Sequence, residues 1–212
     1  MNIIEEINTF LQRGRAPKVK ELVVLALEEG IDASVILEDG LLSAMSVVGE
    51  RFKRNEVFVP EVLVAARAMN AGIEILKPKL AAAGSLVKGK AVIGTVKGDL
   101  HDIGKNLVKL MIEGKGIEVI DLGVDVPCEK FIESAKEHNA DIICLSALLT
   151  TTMNEMKNVV DMAESSGIRE NVKIMIGGAP ITEAFCESIN ADYYSADAAS
   201  AADIALKICS SK

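Results

Sequence analysis

Apolar positions in the first third of the chain recur at helical spacing, as in Leu22, Val23, Ala26 and Leu27, without the alternation of a half-buried strand. The pattern predicts four helices, over residues 2–13, 17–29, 33–53 and 60–77. Pro17 and Pro60 suit first-turn positions, where a missing N–H removes no helical bond. Asp32 suits an N-cap, and Gly14 and Gly30 suit helix stops. Four helices of this length can share one core as a small bundle. Residues 78–90, with Pro78, three alanines, Gly84 and Ser85, read as a linker. From Ala91 the period changes. Short apolar runs near 91–96, 117–122, 141–146, 173–176 and 192–194 now alternate with amphipathic helical segments.

Five β-α units predict a parallel, doubly wound sheet. Five strands fit the flavodoxin-like order 2-1-3-4-5 better than the six-stranded dinucleotide-binding order. The expected organisation is therefore an N-terminal four-helix bundle over 1–77, a linker over 78–90 and an α/β domain over 91–212. In such a sheet a ligand enters the crevice at the carboxyl ends of the first and third strands, where the winding reverses. The loops beginning near Gly98 and Ser146 should line it.

Composition narrows the function. A formal net charge of -8 and the absence of tryptophan argue against nucleic-acid binding, which concentrates positive charge and stacking aromatics. The N-terminal MNIIEEINTF has neither a basic nor an apolar leader region, and no apolar run reaches membrane-spanning length, so a cytoplasmic protein with no membrane partner is expected. Cys128, Cys144, Cys186 and Cys209 form no C-x-x-C pair and read as free, mostly buried thiols.

The unusual chemistry lies in the predicted crevice. After the first strand comes Gly98-Asp99-Leu100-His101-Asp102-Ile103-Gly104-Lys105-Asn106, which holds one of only two histidines. Imidazole is a good ligand for cobalt, and a ligating histidine usually gives its other ring nitrogen to a carboxylate that fixes its tautomer. Asp99 is placed to be that carboxylate. A loop histidine that caps the next helix is the plainer alternative. Gly104 would let a bulky ligand approach the helix start, although it could equally serve packing. His138 falls at a helix end, where a surface role beside the helix dipole is expected. The third strand ends in Ser146-Ala147-Leu148 and a hydroxyl run, Thr150-Thr151-Thr152, in which Thr151 is the better candidate for a helix cap. The fourth ends in Gly177-Gly178, leaving room beside the sheet. Neither G-x-G-x-x-G nor a P-loop pattern is present, which weakens nucleotide readings. A flavin remains open on fold grounds but leaves Asp99 and His101 unexplained.

Asp99-x-His101-x-x-Gly104, Ser146-x-Leu148 and Gly177-Gly178, in that order, resemble the signature of B12-binding domains. The stretches Thr95 to Asn106 and Asp121-Leu122-Gly123-Val124 with Val126-Pro127 are similar to the cobalamin-binding region of cobalamin-dependent methionine synthase. Phe58-Val59-Pro60-Glu61 and Ala65-Ala66-Arg67-Ala68-Met69 resemble its helical cap domain. Together they cover nearly the whole chain, with no substrate barrel left over.

The resemblance implies a cobalamin or related corrinoid bound base-off and His-on, with His101 on cobalt and Asp99 behind it. Thr152 falls where that family's relay has its third hydroxyl, and it adds a methyl group. The wider cofactor-binding set implied is Asp102, Ile103, Gly104, Thr150, Ser146 against the displaced base, Leu148 along the nucleotide tail, and Gly177 and Gly178 making room for it. Phe58, Leu63 and Met69 would cover the upper corrin face. The implied function is that of the corrinoid proteins of methylamine, quaternary-amine or methanol systems: a methyl carrier that does not turn over alone. It accepts a methyl group on cobalt(I) from a substrate-specific methyltransferase. A second methyltransferase, acting on tetrahydrofolate or coenzyme M, takes the group away, and a reductive activase restores the metal. A B12-dependent sensor is the alternative, and a B12 mutase module is a third, disfavoured by the cap-like helical half.

Overall fold

The protein is described by a computed structural model covering residues 2–83 and 87–211. It divides into two compact units, the second beginning at Val87.

The first unit is helical. It contains α1 (Ile3–Gln12), α2 (Ala16–Glu28), α3 (Ala33–Val35) running through a π-helical segment (Ile36–Leu42) into α4 (Ser43–Lys53), and α5 (Val59–Ala83). Asn2 and Glu5 close a capping box on α1. Pro17 lies in the first turn of α2, and the Asp32 carboxylate caps α3 by accepting from the Ser34 N–H. α5 packs along α2, and α1 against α2 and the π segment. Ile7, Leu11, Val19, Val23, Ile36, Leu41 and Met45 are buried in the shared core.

Two expectations change here. The single helix expected over 33–53 is interrupted by the π segment, whose wider turns shift the buried face by part of a residue. The helix expected to stop at 77 continues through Pro78 to Ala83, so residues 78–83 are helical and not linker. Proline removes one backbone donor from the helix interior. The alanines that follow are the strongest helix formers and favour continuation. Gly84 and Ser85, placed in the linker on sequence grounds, lie outside the described residues.

The second unit is a five-stranded parallel sheet, in the expected order β2-β1-β3-β4-β5. The strands are β1 (Lys90–Thr95), β2 (Glu118–Asp121), β3 (Ile142–Ser146), β4 (Lys173–Gly177) and β5 (Tyr193–Ser195). Between and after them come α6 (Ile103–Glu113), α7 (Cys128–His138), α8 (Met153–Ser165), α9 (Glu183–Ser188) and α10 (Ala198–Ser210). α7 pairs with α8, and α6 with α10. β1, β3 and β4 are apolar on both faces because both are covered, as a parallel sheet requires. Val92, Ile143 and Ile174 share one core with Phe131, Met156 and Val160.

The strand exits are held close. Gly178, just after β4, has φ +137°, and a Cβ there would lie 1.8 Å from the Ala147 carbonyl oxygen just after β3. At Gly104 a Cβ would meet nothing within 4 Å. Gly178→Ala should therefore cost about 3 kcal/mol or more, or prevent folding, because rigid backbone must move. Gly104→Ala should be neutral or stabilising by up to about 1 kcal/mol, as for an exposed helical glycine. Denaturant unfolding of both variants followed by circular dichroism checks the contrast; equal effects would contradict it.

Candidate functional site

β1 and β3 are neighbours, with Thr95 level with Ser146. Their following chains turn to opposite faces, toward α6 and toward α8. The loops 96–102 and 147–152 therefore face each other at the sheet's switch point.

Asp99 joins them. Its carboxylate has no exposed surface and accepts five hydrogen bonds. Oδ1 accepts from the His101 backbone N–H at 3.0 Å and stands 2.7 Å from His101 Nδ1. Oδ2 accepts from the backbone N–H groups of Leu148 at 2.7 Å and Leu149 at 3.1 Å, and from the Thr152 hydroxyl at 3.1 Å. Burial alone would raise the Asp99 pKa. The hydrogen bonds from His101, Leu148 and Leu149 outweigh it and hold the carboxyl well below the ordinary carboxylate range.

An ionised carboxylate is acceptor-only, so Nδ1 of His101 is the donor, and in the neutral ring Nε2 carries the lone pair. The His101 side chain is 52 % exposed against 0 % for Asp99. The result is one accessible, oriented nitrogen ligand with a buried anion behind it. Beside His101 in sequence, Leu100 is 71 % and Ile103 78 % exposed, while Leu148 and Leu149 are also large apolar side chains left open to solvent.

The structure brings His101, Asp99 and Thr152 into one chain of hydrogen bonds. The Thr152 hydroxyl has one proton, and besides Asp99 it lies 3.0 Å from the Leu149 carbonyl. Thr152, not Thr151, occupies the N-cap position of α8, and it makes no side-chain cap bond because its hydroxyl is turned to Asp99 and Leu149. Ser146 is half-buried at the end of β3, and Thr150 is exposed. Asp102 is exposed and accepts from the Asn106 side chain at 3.0 Å. Gly177 ends β4 opposite Ser146. Gly178 has a packing role of its own against Ala147. In the helical unit Phe58 and Leu63 are exposed, whereas Met69 is fully buried.

Sequence reasoning did not single out Leu149, whose N–H completes the carboxylate's shell, since a backbone donor leaves no residue-type signal. Nor did it single out the buried Lys105 ammonium. Lys105 lies 2.5 Å from Asp121 at the end of β2 and ties the first turn of α6 to the sheet. Burial alone would raise the pKa of Asp121, but the Lys105 bond and the Gly123 N–H hold it low.

An open parallel sheet that presents one oriented imidazole at its switch point, surrounded by exposed apolar side chains, could hold a metal-centred organic cofactor through that nitrogen. One donor nitrogen suits a metal whose equatorial positions are already filled by a macrocycle. Among the described residues no group of three or more His, Cys, Asp or Glu side chains could enclose a bare ion instead.

Comparison with known proteins agrees. A family model described as a B12 binding domain matches residues 89–206, and a second of the same description matches residues 3–77. A dimethylamine corrinoid protein of Methanosarcina acetivorans is 47 % identical over 186 residues, covering 86 % of this chain and 87 % of that one. A corrinoid protein of Desulfitobacterium hafniense is 38 % identical over 211 residues, covering 98 % of each. The crystal structure of the methanol:cobalamin methyltransferase complex of Methanosarcina barkeri contains a chain that superposes with TM-score 0.91. It is 32 % identical, covering 99 % of this chain and 80 % of that one. The chain belongs to the B12-binding family of corrinoid proteins.

The depressed Asp99 pKa gives a signed prediction. A carboxyl lowered in the folded state contributes stability that is present above its ordinary value near 4 and is lost as pH falls through the folded value. Asp99→Asn should cost about 3 kcal/mol at pH 7, because an amide cannot accept from all five donors and brings its own N–H groups against theirs. The gap between parent and variant should narrow progressively below about pH 4. Unfolding curves from pH 7 to pH 3 test this; a gap independent of pH would refute it.

Proposed function

We propose that this protein is a corrinoid methyl carrier of a multicomponent methyltransferase system, holding its cofactor base-off with His101 as the lower cobalt ligand. The observation that carries the proposal is the half-exposed His101 imidazole, whose Nδ1 is committed to a buried carboxylate and whose Nε2 is left as the donor. When bound, the corrinoid supplies a cobalt centre that can accept and release a methyl group.

The chain's own residues bind and tune. His101 would supply a nitrogen ligand to the cobalt. Asp99 would fix the tautomer of the imidazole, and Thr152 would steady Asp99 through its hydroxyl, forming a His-Asp-Thr relay. Asp102, Ile103 and the open space at Gly104 would border the macrocycle. Ser146, Leu148 and Thr150 would contact the displaced base and nucleotide tail, beside Gly177 and Gly178. Phe58 and Leu63, as exposed apolar side chains, suit the covering of the upper face; Met69 has no accessible surface and is left out of that role.

The proposed donor is a methylamine or a related quaternary amine, delivered by a substrate-specific methyltransferase. This reading is supported by relatives named for dimethylamine and, at 44 % identity over 190 residues, for trimethylamine. The proposed taker is a second methyltransferase acting on tetrahydrofolate or coenzyme M, with a reductive activase to restore the metal. A cytoplasmic setting is proposed with them. Among the described residues no helix is long and apolar enough to cross a membrane.

Loading the purified full-length chain with hydroxocobalamin tests the assignment. The parent should take up one corrinoid per chain. In its reduced cobalt(II) form, the nitrogen hyperfine splitting in the electron paramagnetic resonance spectrum should change when the protein is labelled with 15N-histidine. His101→Ala should lose that response and bind at least about tenfold more weakly. A parent that takes up no corrinoid, or a splitting insensitive to the label, would sink the proposal.

A further inference from the structure

The relay explains how the imidazole is aimed within its loop but not what holds the loop itself. We propose that Thr95 and Asp125 are positioning residues for His101: two side chains outside the relay that clamp the ends of the segment carrying Asp99 and His101. The inference deepens the reading of His101 as the ligand and rests on it.

The segment is gripped at each end by one side chain. At its start, Asp125 Oδ1 accepts from the Gly98 N–H at 2.7 Å, and the Asp125 backbone N–H donates to the Asp99 carbonyl at 3.0 Å. Asp125 therefore holds the loop on both sides of the Gly98–Asp99 peptide bond. Its own φ is +53°, a left-handed conformation that aspartate tolerates better than most residues and that a merely exposed loop position does not require. At the end of the segment, the hydroxyl of the fully buried Thr95 donates to the His101 carbonyl at 2.8 Å.

The two clamps are themselves joined. Thr95 N–H donates to the Gly123 carbonyl, and Val126 N–H donates to the Thr95 carbonyl, each at 3.0 Å. Val96 and Val126 form a parallel bridge that prolongs the β1–β2 pairing past the end of either strand. The connection from β2 to α7 is thus a splint laid along the connection from β1 to α6. Neither residue touches the imidazole ring, so both act through the backbone of His101 and Asp99. The two clamps in this way hold the backbone that carries the imidazole beside Asp99.

Paired substitutions separate this role from simple stability. Thr95→Val keeps the shape and removes the hydroxyl, whereas Thr95→Ser keeps the hydroxyl. Asp125→Gly relieves the left-handed backbone and removes the acceptor, whereas Asp125→Asn keeps both an acceptor and tolerance of positive φ. The readout is the tautomer ratio of His101, measured by 15N nuclear magnetic resonance of the ligand-free full-length protein. It is taken at alkaline pH, where imidazole is neutral, in a His138→Gln background that leaves a single histidine signal.

The parent should show Nδ1–H almost alone. Thr95→Val and Asp125→Gly should each raise the Nε2–H share about fivefold, the effect expected for loss of one such hydrogen bond. Thr95→Ser and Asp125→Asn should match the parent. Any other pattern, including no shift in either removing variant or equal shifts in all four, overturns the proposal; if one removing variant fails to fold, the other with its conservative partner decides. Because no corrinoid is present, failure here is distinguishable from failure of the His101 ligand assignment, which the loading experiment decides separately.

Discussion

A carboxylate without exposed surface is costly unless its oxygens are saturated by donors, and Asp99 meets that condition with five. Because the donors come from both the loop after β1 and the loop after β3, the charge can be satisfied only when the two loops lie against each other. Leu148 and Leu149 give backbone N–H groups at the start of one loop, and Thr152 gives a hydroxyl at its end. His101 gives a ring and a backbone N–H from the other. Besides that anion the loop starts are joined by the Val96 N–H, which donates to the Ser146 carbonyl at 3.0 Å, while Leu100, Ile103 and Leu148 close by are apolar and turned to solvent. The same bonds that keep Asp99 ionised decide which nitrogen of His101 is left free.

The sheet supplies the place for this arrangement. In the order β2-β1-β3-β4-β5 only the β1 and β3 exits lead to opposite faces, so only there do adjacent loops diverge and leave a crevice. Tight contacts fix the exits around it. Gly178 lets β4 close on Ala147, and the Lys105–Asp121 pair secures the first turn of α6 to the end of β2. These are rigid, buried features, and they carry a site whose working atom is exposed. A ligand position built on strand ends and a helix start is better defined than one built on a free loop.

Much of this was legible in the sequence because it is written in residue types. The change of period at Ala91, the five apolar runs and the turn residues between them predict the sheet, and the switch-point rule then selects the loops at Gly98 and Ser146. A lone histidine two residues from an aspartate in one of those loops is a chemical signal in itself. The illegible part is made of backbone. The Leu148 and Leu149 donors would be present whatever their side chains, so their identity carries no message. Asp125 is an exposed acidic residue like many others in a chain of net charge -8, and only its positive φ and its bond to Gly98 set it apart. Thr95 looks like one more β-branched strand residue until the loop folds back to put the His101 carbonyl 2.8 Å from its hydroxyl. Pro78 misled for the converse reason: its local penalty is real, but helix continuation also depends on Lys79, Leu80 and the alanines after it.

A corrinoid protein that held its cofactor through one side chain would face opposing demands, since the ligand would have to be fixed enough to hold the metal and accessible enough for the cofactor to enter. The division between His101 and Asp99 meets both. Accessibility resides in the histidine, which keeps about half its surface, and fixity resides in the aspartate, which keeps none. An imidazole whose other nitrogen is bonded to an anion is a stronger donor than a free one, and here the anion is tied by three further donors from the second loop. A movement of the ring would therefore leave the carboxylate in place, held by the second loop.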